Sequence, residues 1–189
     1  MKIYDVRRKK AMNCKRALWV AAMVSVMMCT LRIGKAQPGG REPGGDRLGG
    51  HIGFVLPLVT HAGGQTTTLD ENFGIGFPVG ITVKSSGRTS FDFEFVPFIQ
   101  DSPRKVSLTV LPGLLYGLGH GFTAGARLAF DVNSSQFGFT PLLNKSWPIE
   151  GSFFKAYFVE AVLPVRFDRP TAGPNTNPVS FGMHFGVGF

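Results

Sequence analysis

Ionisable residues recur in one phase of the alternating segments that follow residue 50. Asp92 and Glu94 are two positions apart, so both side chains lie on one face of a strand. Buried charges must be paired, so we expect these groups to form an ion-pair network, with Arg127 bound to Glu160 or Glu94. His51 shares their phase. The network that we predict consists of Asp92, Glu94, Arg127, Glu160, Arg166 and His184.

A catalytic site needs a nucleophile within hydrogen-bond reach of a base. Ser180 and His184 share a face, but four residues of extended strand separate them by about 13 Å. Neither a nucleophile-elbow motif nor the spacing of a zinc site is present. The glycine cluster at 74–80 lacks the strand-then-helix context of a phosphate loop. We therefore expect no enzyme activity, no cofactor and no bound metal.

Eight segments show the two-residue period of β-strands, in which large apolar residues alternate with small or polar ones. No segment after residue 50 shows helical periodicity. The predicted fold is therefore all-β, an eight-stranded antiparallel barrel over residues 51–189. The sixth strand rests only on Phe137, Phe139 and Leu143. The apolar phases span 52–58, 73–83, 91–95, 106–118, 122–130, 137–143, 153–167 and 179–189.

The large apolar residues are predicted to face outward. An eight-stranded barrel has an interior just wide enough for its own side chains, and these Phe, Leu, Val and Ile residues would overfill it. The opposite phase is rich in glycine, which suits a narrow interior. Soluble proteins have surfaces that are about 25–35% charged, whereas this outward face is almost entirely apolar. Such a face suits contact with lipid rather than with water. The fold is therefore predicted to span a membrane.

Aromatic residues cluster near one end of the predicted barrel, where they would form an interfacial girdle. Lys155 lies in the lipid-facing phase near the same end, where a lysine can extend its amine to water. We expect this end to face the periplasm. The girdle consists of Tyr116, Phe122, Trp147, Phe153, Tyr157 and Phe189.

Residues 1–36 have the features of a cleavable signal peptide: a basic head, an apolar run over 17–31 and a small-x-small triplet before Gln37. The apolar run is shorter than the roughly 20 residues of a membrane-spanning helix. Translation could begin at Met1 or Met12. Both cysteines lie in this segment. Residues 37–50, rich in Gly and Pro, are predicted to be a flexible lead-in.

The formal charge of +8 is concentrated in the same segment. It holds nine of the 20 Lys and Arg residues and one of the 12 acids, which leaves eleven of each sign in the remainder. A neutral barrel does not suit nucleic acid, so we exclude nucleic acid as a partner.

The final segment alternates large apolar residues with Ser, Gly and His and ends in phenylalanine. Residues 51–189 resemble the small eight-stranded outer-membrane barrels of Gram-negative bacteria, typified by the OmpA membrane domain and OmpX. The resemblance implies a location in the outer membrane, contact with its lipid and lipopolysaccharide, and insertion by the β-barrel assembly machinery. The assembly signal that it implies consists of Val179, Phe181, Met183, Phe185, Val187 and Phe189.

The expected role is structural or one of surface interaction, because the sequence shows no catalytic site. The connections at 61–71 and 168–178 are the longest and are the candidate surfaces for an unknown ligand. Two alternatives remain open. One is a narrow channel for ions or small solutes through the polar interior, and the other is an outer-membrane lipid-modifying enzyme.

Overall fold

The computed structural model describes residues 47–85, 87–132, 134–167 and 176–189. The signal peptide and most of the lead-in lie outside them. Eleven strands form one antiparallel sheet: β1 (Leu48–Ala62), β2 (Gln65–Thr68), β3 (Gly74–Gly76), β4 (Val79–Lys84), β5 (Thr89–Gln100), β6 (Lys105–Gly119), β7 (Phe122–Asp131), β8 (Phe137–Pro148), β9 (Ala156–Val162), β10 (Val165–Phe167) and β11 (Val179–Gly188). None of the described residues forms a helix long and apolar enough to cross a membrane.

The eleven strands make an eight-stranded closed barrel, which confirms the predicted fold. β2, β3 and β4 are successive pieces of the second barrel strand, because each pairs with β1. β9 and β10 are pieces of the seventh, and both pair with β8. Pro78 and Pro164 lie at two of these breaks, where a residue without an N–H group cannot continue the ladder. The barrel closes where β1 pairs with β11, from His51 opposite Gly188 to His61 opposite Val179.

The predicted facing of the strands is confirmed. Large apolar side chains on all eight barrel strands are on the outer surface, and Leu128 and Leu114 are 55% and 62% exposed. Most of the alternate positions point inward and are small, polar or charged, although Phe158 and Leu142 are large, apolar and buried. The buried apolar residues are few, and Val96, Leu111 and Ala129 form a small cluster inside.

A β-bulge shifts the phase of β1. Pro57 pairs with Gly182 and Val59 pairs with Phe181, so Leu58 is an extra residue with no partner in this register. Val59 is consequently exposed, and Thr60 contacts Ser180 in the interior. Simple alternation from Ile52 to Leu58 therefore describes only the first part of this strand.

The connection predicted at 61–71 is not an open loop. β1 extends to Ala62 and returns through β2 after the two-residue turn Gly63–Gly64. Both glycines have positive φ, 56° and 77°, as the tight hairpin turn requires. The Gly63 N–H donates a 3.1 Å hydrogen bond to the Thr176 carbonyl, so this turn contacts the connection before β11. Residues 168–175 of that connection lie outside the described residues.

The two ends of the barrel differ. We call the end where β1 begins and β11 finishes the terminal end, and it also carries the turns near 85–88, 120–121 and 149–155. The opposite end carries the Gly63–Gly64 turn and the connections at 101–104 and 132–136. Phe189 is fixed at the terminal end, where its N–H and carbonyl both bond with Gly50.

Candidate functional site: a charged layer across the lumen

Arg127 is the centre of a layer of ionisable side chains inside the barrel. It projects from β7, and its Nε donates a 2.7 Å hydrogen bond to Asp92 Oδ2 on β5. Its Nη1 donates a second 2.7 Å bond to Glu160 Oε1 on β9, and its Nη2 lies 3.5 Å from Glu94 Oε2. Arg127 thus contacts both glutamates that we considered as its partner, and Asp92 as well. One guanidinium therefore joins carboxylates from both sides of the lumen.

His51 joins the layer from β1. Its Nε2 lies 2.9 Å from Glu94 Oε2, and its Nδ1 lies 3.9 Å from Asp92 Oδ1. Thr82 Oγ1 donates a 2.6 Å hydrogen bond to that same Asp92 oxygen. The sequence placed His51 in the inward phase but did not include it in the predicted network.

His184 completes the layer from β11. Its Nδ1 lies 3.3 Å from Glu160 Oε1, and Asn144 Nδ2 donates a 3.4 Å hydrogen bond to Glu160 Oε2. Within the described part of the chain, the buried Nε2 atom of His184 has no hydrogen-bond partner. The ring of His184 packs edge-on against Phe158, with 4.9 Å between the centroids.

Glycines on the intervening strands make room for the layer. Gly80 on β4 stands in register between His51 and Glu94. Gly113 on β6 stands in the same way between Asp92 and Arg127, and a Cβ there would lie 2.5 Å from Arg127 Cγ. The ionisable side chains therefore contact one another across the intervening strand, because the residue between them is a glycine without a side chain.

The layer contains more negative than positive formal charge. Its carboxylates belong to Asp92, Glu94 and Glu160, which are 0%, 3% and 1% exposed. Arg127 is the only lysine or arginine within it among the described residues. Two units of negative charge therefore remain for the two imidazoles or for a bound cation to balance.

The layer separates two cavities in the lumen. A cavity of about 310 Å³ extends from Arg127 and His184 toward the opposite end, past Thr109 and Arg166. A second, of about 450 Å³, extends from Arg127 and His51 toward the terminal end. Arg127 and Glu160 border both cavities, so paired side chains stand between them.

Arg166 is not part of the layer. Its Nη1 donates hydrogen bonds to the Phe139 carbonyl and to Thr140 Oγ1, at 3.3 and 3.1 Å. Arg166 does point inward, but it lies six positions after Glu160 along the seventh barrel strand, about 20 Å in extended chain. It therefore borders the 310 Å³ cavity near the opposite end rather than the centre of the lumen.

Ser180 and His184 make separate contacts. Ser180 Oγ hydrogen-bonds with Thr60 Oγ1 at 2.8 Å, whereas His184 contacts Glu160. The two residues therefore form no nucleophile–base pair in this arrangement.

The aromatic residues that we assigned to a girdle all lie near the terminal end. The rings of Trp147 and Tyr157 stack with centroids 5.1 Å apart, and those of Phe153 and Phe189 stack at 5.5 Å. Tyr116 is 49% exposed near the end of β6. Phe153 belongs to the turn before β9 rather than to the strand itself.

Lys145 is an outward-facing cation at this end, whereas Lys155, which the sequence placed in the lipid-facing phase, borders the 450 Å³ cavity. The Nζ atom of Lys145 lies 4.4 Å from the centroid of the Phe122 ring and 5.6 Å from that of Trp147. It also donates to the His120 carbonyl. The sequence identified only Lys155, because the predicted sixth strand ended at Leu143 and β8 continues to Pro148.

Five residues of the predicted assembly signal occupy the odd-numbered, outward positions of β11, and Phe189 follows directly after the strand. Phe181 and Val179 are each 38% exposed, and the Phe185 ring stacks on Phe54 of β1 at 5.3 Å.

No protein-family model, no curated protein and no solved structure matches this chain.

Proposed function

We propose that the protein is an outer-membrane β-barrel with a structural or surface-interaction role. The observation that supports this most directly is the outer surface, where large apolar side chains are exposed on every barrel strand. The largest apolar patch of a typical soluble monomer covers about 300–600 Å². A surface that surrounds a closed barrel is better suited to lipid, since a closed barrel leaves no unpaired backbone edge in the hydrocarbon.

The aromatic cluster at the terminal end supports an orientation. Trp and Tyr favour the membrane–water interface, and the amine of Lys145 lies 5.6 Å from the Trp147 ring centroid at the same level. We place this end in the periplasm, where a signal on β11 would be accessible to the β-barrel assembly machinery. The signal peptide proposed for residues 1–36 accounts for export.

The surface-interaction role rests on the opposite end. The Gly63–Gly64 turn bonds there to Thr176, which belongs to the described residues 176–178 before β11. This hairpin and residues 176–178 together form the surface that we propose for lipopolysaccharide or an external ligand. Thr66 is exposed on this hairpin, where its hydroxyl bonds with His61 Nδ1.

Membrane fractionation tests the proposal. We expect the protein in the outer-membrane fraction, with faster gel mobility before boiling than after, because a closed barrel resists unfolding by detergent. A tagged periplasmic protein serves as the soluble control. Recovery in the soluble fraction without any heat-dependent shift would contradict the proposal.

A narrow channel is the second candidate, and the two cavities favour it. They approach each other from opposite ends, with the charged layer between them. The wild-type protein should give small or rare conductance steps in planar bilayers, and Arg127→Ala should enlarge them. Silent bilayers for both proteins would remove this candidate.

A further inference from the structure

We propose that the charged layer binds one divalent transition-metal ion, with His51, Asp92 and Glu94 as ligands. One donor atom from each of these residues lies within 4.8 Å of the other two, and all three residues are buried. Zinc binds nitrogen and carboxylate oxygen at about 2.0–2.2 Å, so two donors on one tetrahedral ion are about 3.4 Å apart. His51 Nε2 lies 2.9 Å from Glu94 Oε2, so a shift of about 0.5 Å would bring these two donors to the spacing that one ion requires.

The formal charge of the layer matches a divalent ion. Asp92, Glu94 and Glu160 carry three negative charges, and Arg127 carries one positive charge. One divalent cation balances the difference with both imidazoles neutral, which is the form in which histidine binds metal. Such a balance matters here because an unpaired charge is costly in a buried lumen.

The carboxylates are already oriented by neighbouring groups. Thr82 Oγ1 donates to Asp92 Oδ1, and Arg127 Nε donates to Asp92 Oδ2. Outer groups of this kind fix the ligands of metal sites and tune their affinity. Arg127 can keep its bonds to Asp92 and Glu160 while an ion replaces the proton between His51 and Glu94.

His184 offers a fourth donor beside the cluster. It is 1% exposed, and its Nε2 has no hydrogen-bond partner among the described residues. This atom occupies the space that a side chain at Gly53 would fill, one inward position along β1 from His51. The His51 and His184 ring centroids are 6.2 Å apart, and two imidazoles on one zinc ion place their centroids about 5–6 Å apart.

The donor set indicates the class of ion. Imidazole with carboxylate suits zinc and also manganese or ferrous iron, whereas calcium and magnesium prefer oxygen alone. An ion can enter through the 450 Å³ cavity, which His51 and Asp92 border. No zinc-type spacing is visible in the sequence because the ligands come from β1 and β5, which β4 separates in the sheet.

Calorimetric titration with Zn²⁺ tests the site on the full chain, purified from whichever cell fraction contains it and stripped with chelator. We expect saturable one-to-one binding, and Co²⁺ should give the visible absorption of a nitrogen- and oxygen-ligated ion. His51→Ala should weaken zinc binding by at least about 100-fold, since loss of an outer-shell partner alone costs about 10–100-fold. Glu94→Gln should have a similar effect while it preserves a hydrogen bond to His51.

His61→Ala is the matched control, because His61 is an exposed histidine on β1 outside the layer, bonded to Thr66. It should leave zinc binding unchanged. Far-ultraviolet circular dichroism verifies that each variant is folded. Absence of saturable zinc binding to the folded wild type, or equal binding by wild type, His51→Ala and Glu94→Gln, would overturn the proposal. Either result is independent of the membrane location.

Discussion

Gly80 lies directly beside the imidazole of His51, and a Cβ at Gly80 would overlap the ring atoms Cε1 and Nε2. Position 80 therefore needs a residue without a side chain, because the His51 ring occupies the space that a Cβ would fill. His51 in turn lies 2.9 Å from Glu94 across the same strand.

Gly80→Ala should destabilise the barrel by about 1–3 kcal/mol, the usual cost of an extra methyl group in a filled interior. Gly117→Ala is the control, because a Cβ there meets its nearest atom, the Arg88 carbonyl oxygen, at an ordinary 3.6 Å. Guanidinium unfolding in detergent micelles, followed by circular dichroism, measures both. Equal midpoints for the two variants would show that the interior adapts to the methyl group.

Arg127→Met should reduce the free energy of unfolding by about 3–5 kcal/mol, because it leaves buried carboxylates without their cation. Glu160→Gln in the same chain should restore part of this loss by removing one of the unpaired charges. Arg104→Met, at an exposed position in the turn after β5, should change stability by less than about 0.5 kcal/mol. The same unfolding measurement applies, and a small effect of Arg127→Met would contradict a paired charged layer.

Leu128→Arg should weaken folding into lipid vesicles by about 2–4 kcal/mol, since Leu128 is exposed near the middle of the outer apolar surface. Leu118→Arg, which lies at the level of the aromatic cluster, should cost only about 0–1 kcal/mol. Equilibrium folding into vesicles measures the difference. If both variants fold as well as the wild type, the outer surface does not contact hydrocarbon.

Trp147 should report a shallow position in the bilayer. In a Trp19→Phe background it is the only tryptophan. We expect stronger fluorescence quenching by lipids brominated near the headgroup than by lipids brominated deep in the chain. Moving the tryptophan with Trp147→Phe and Leu128→Trp should reverse this order, whereas quenching by neither lipid would contradict the proposed interface.

Alternation was enough to predict the barrel, because a period of two determines which side of a sheet each residue faces. It placed Asp92, Glu94, Arg127 and Glu160 on the inner side, where they meet. Alternation does not give the height of a residue along the barrel axis. Arg166 therefore has the predicted facing but lies about 20 Å along the strand from Glu160.

Interruptions in the regular strand pattern explain the other differences between the predicted and the observed structure. The extra residue at Leu58 shifts the phase of β1 without any signal in the apolar pattern. Pro141 and the polar residues after Leu143 interrupt the apolar pattern, so Lys145 could not be placed on the outer face beforehand. The contacts of His51 depend on strands distant in sequence, since β1 is followed by β4 and β5 in the sheet.

The position of the two histidines bears on the order of folding. His51 belongs to the first strand of the barrel and His184 to the last, and these strands form the closing seam. An open sheet can form the contacts of Arg127 with Asp92 and Glu160 before the seam exists. The two imidazoles come together only at closure, so the complete layer distinguishes a finished barrel from an incomplete one.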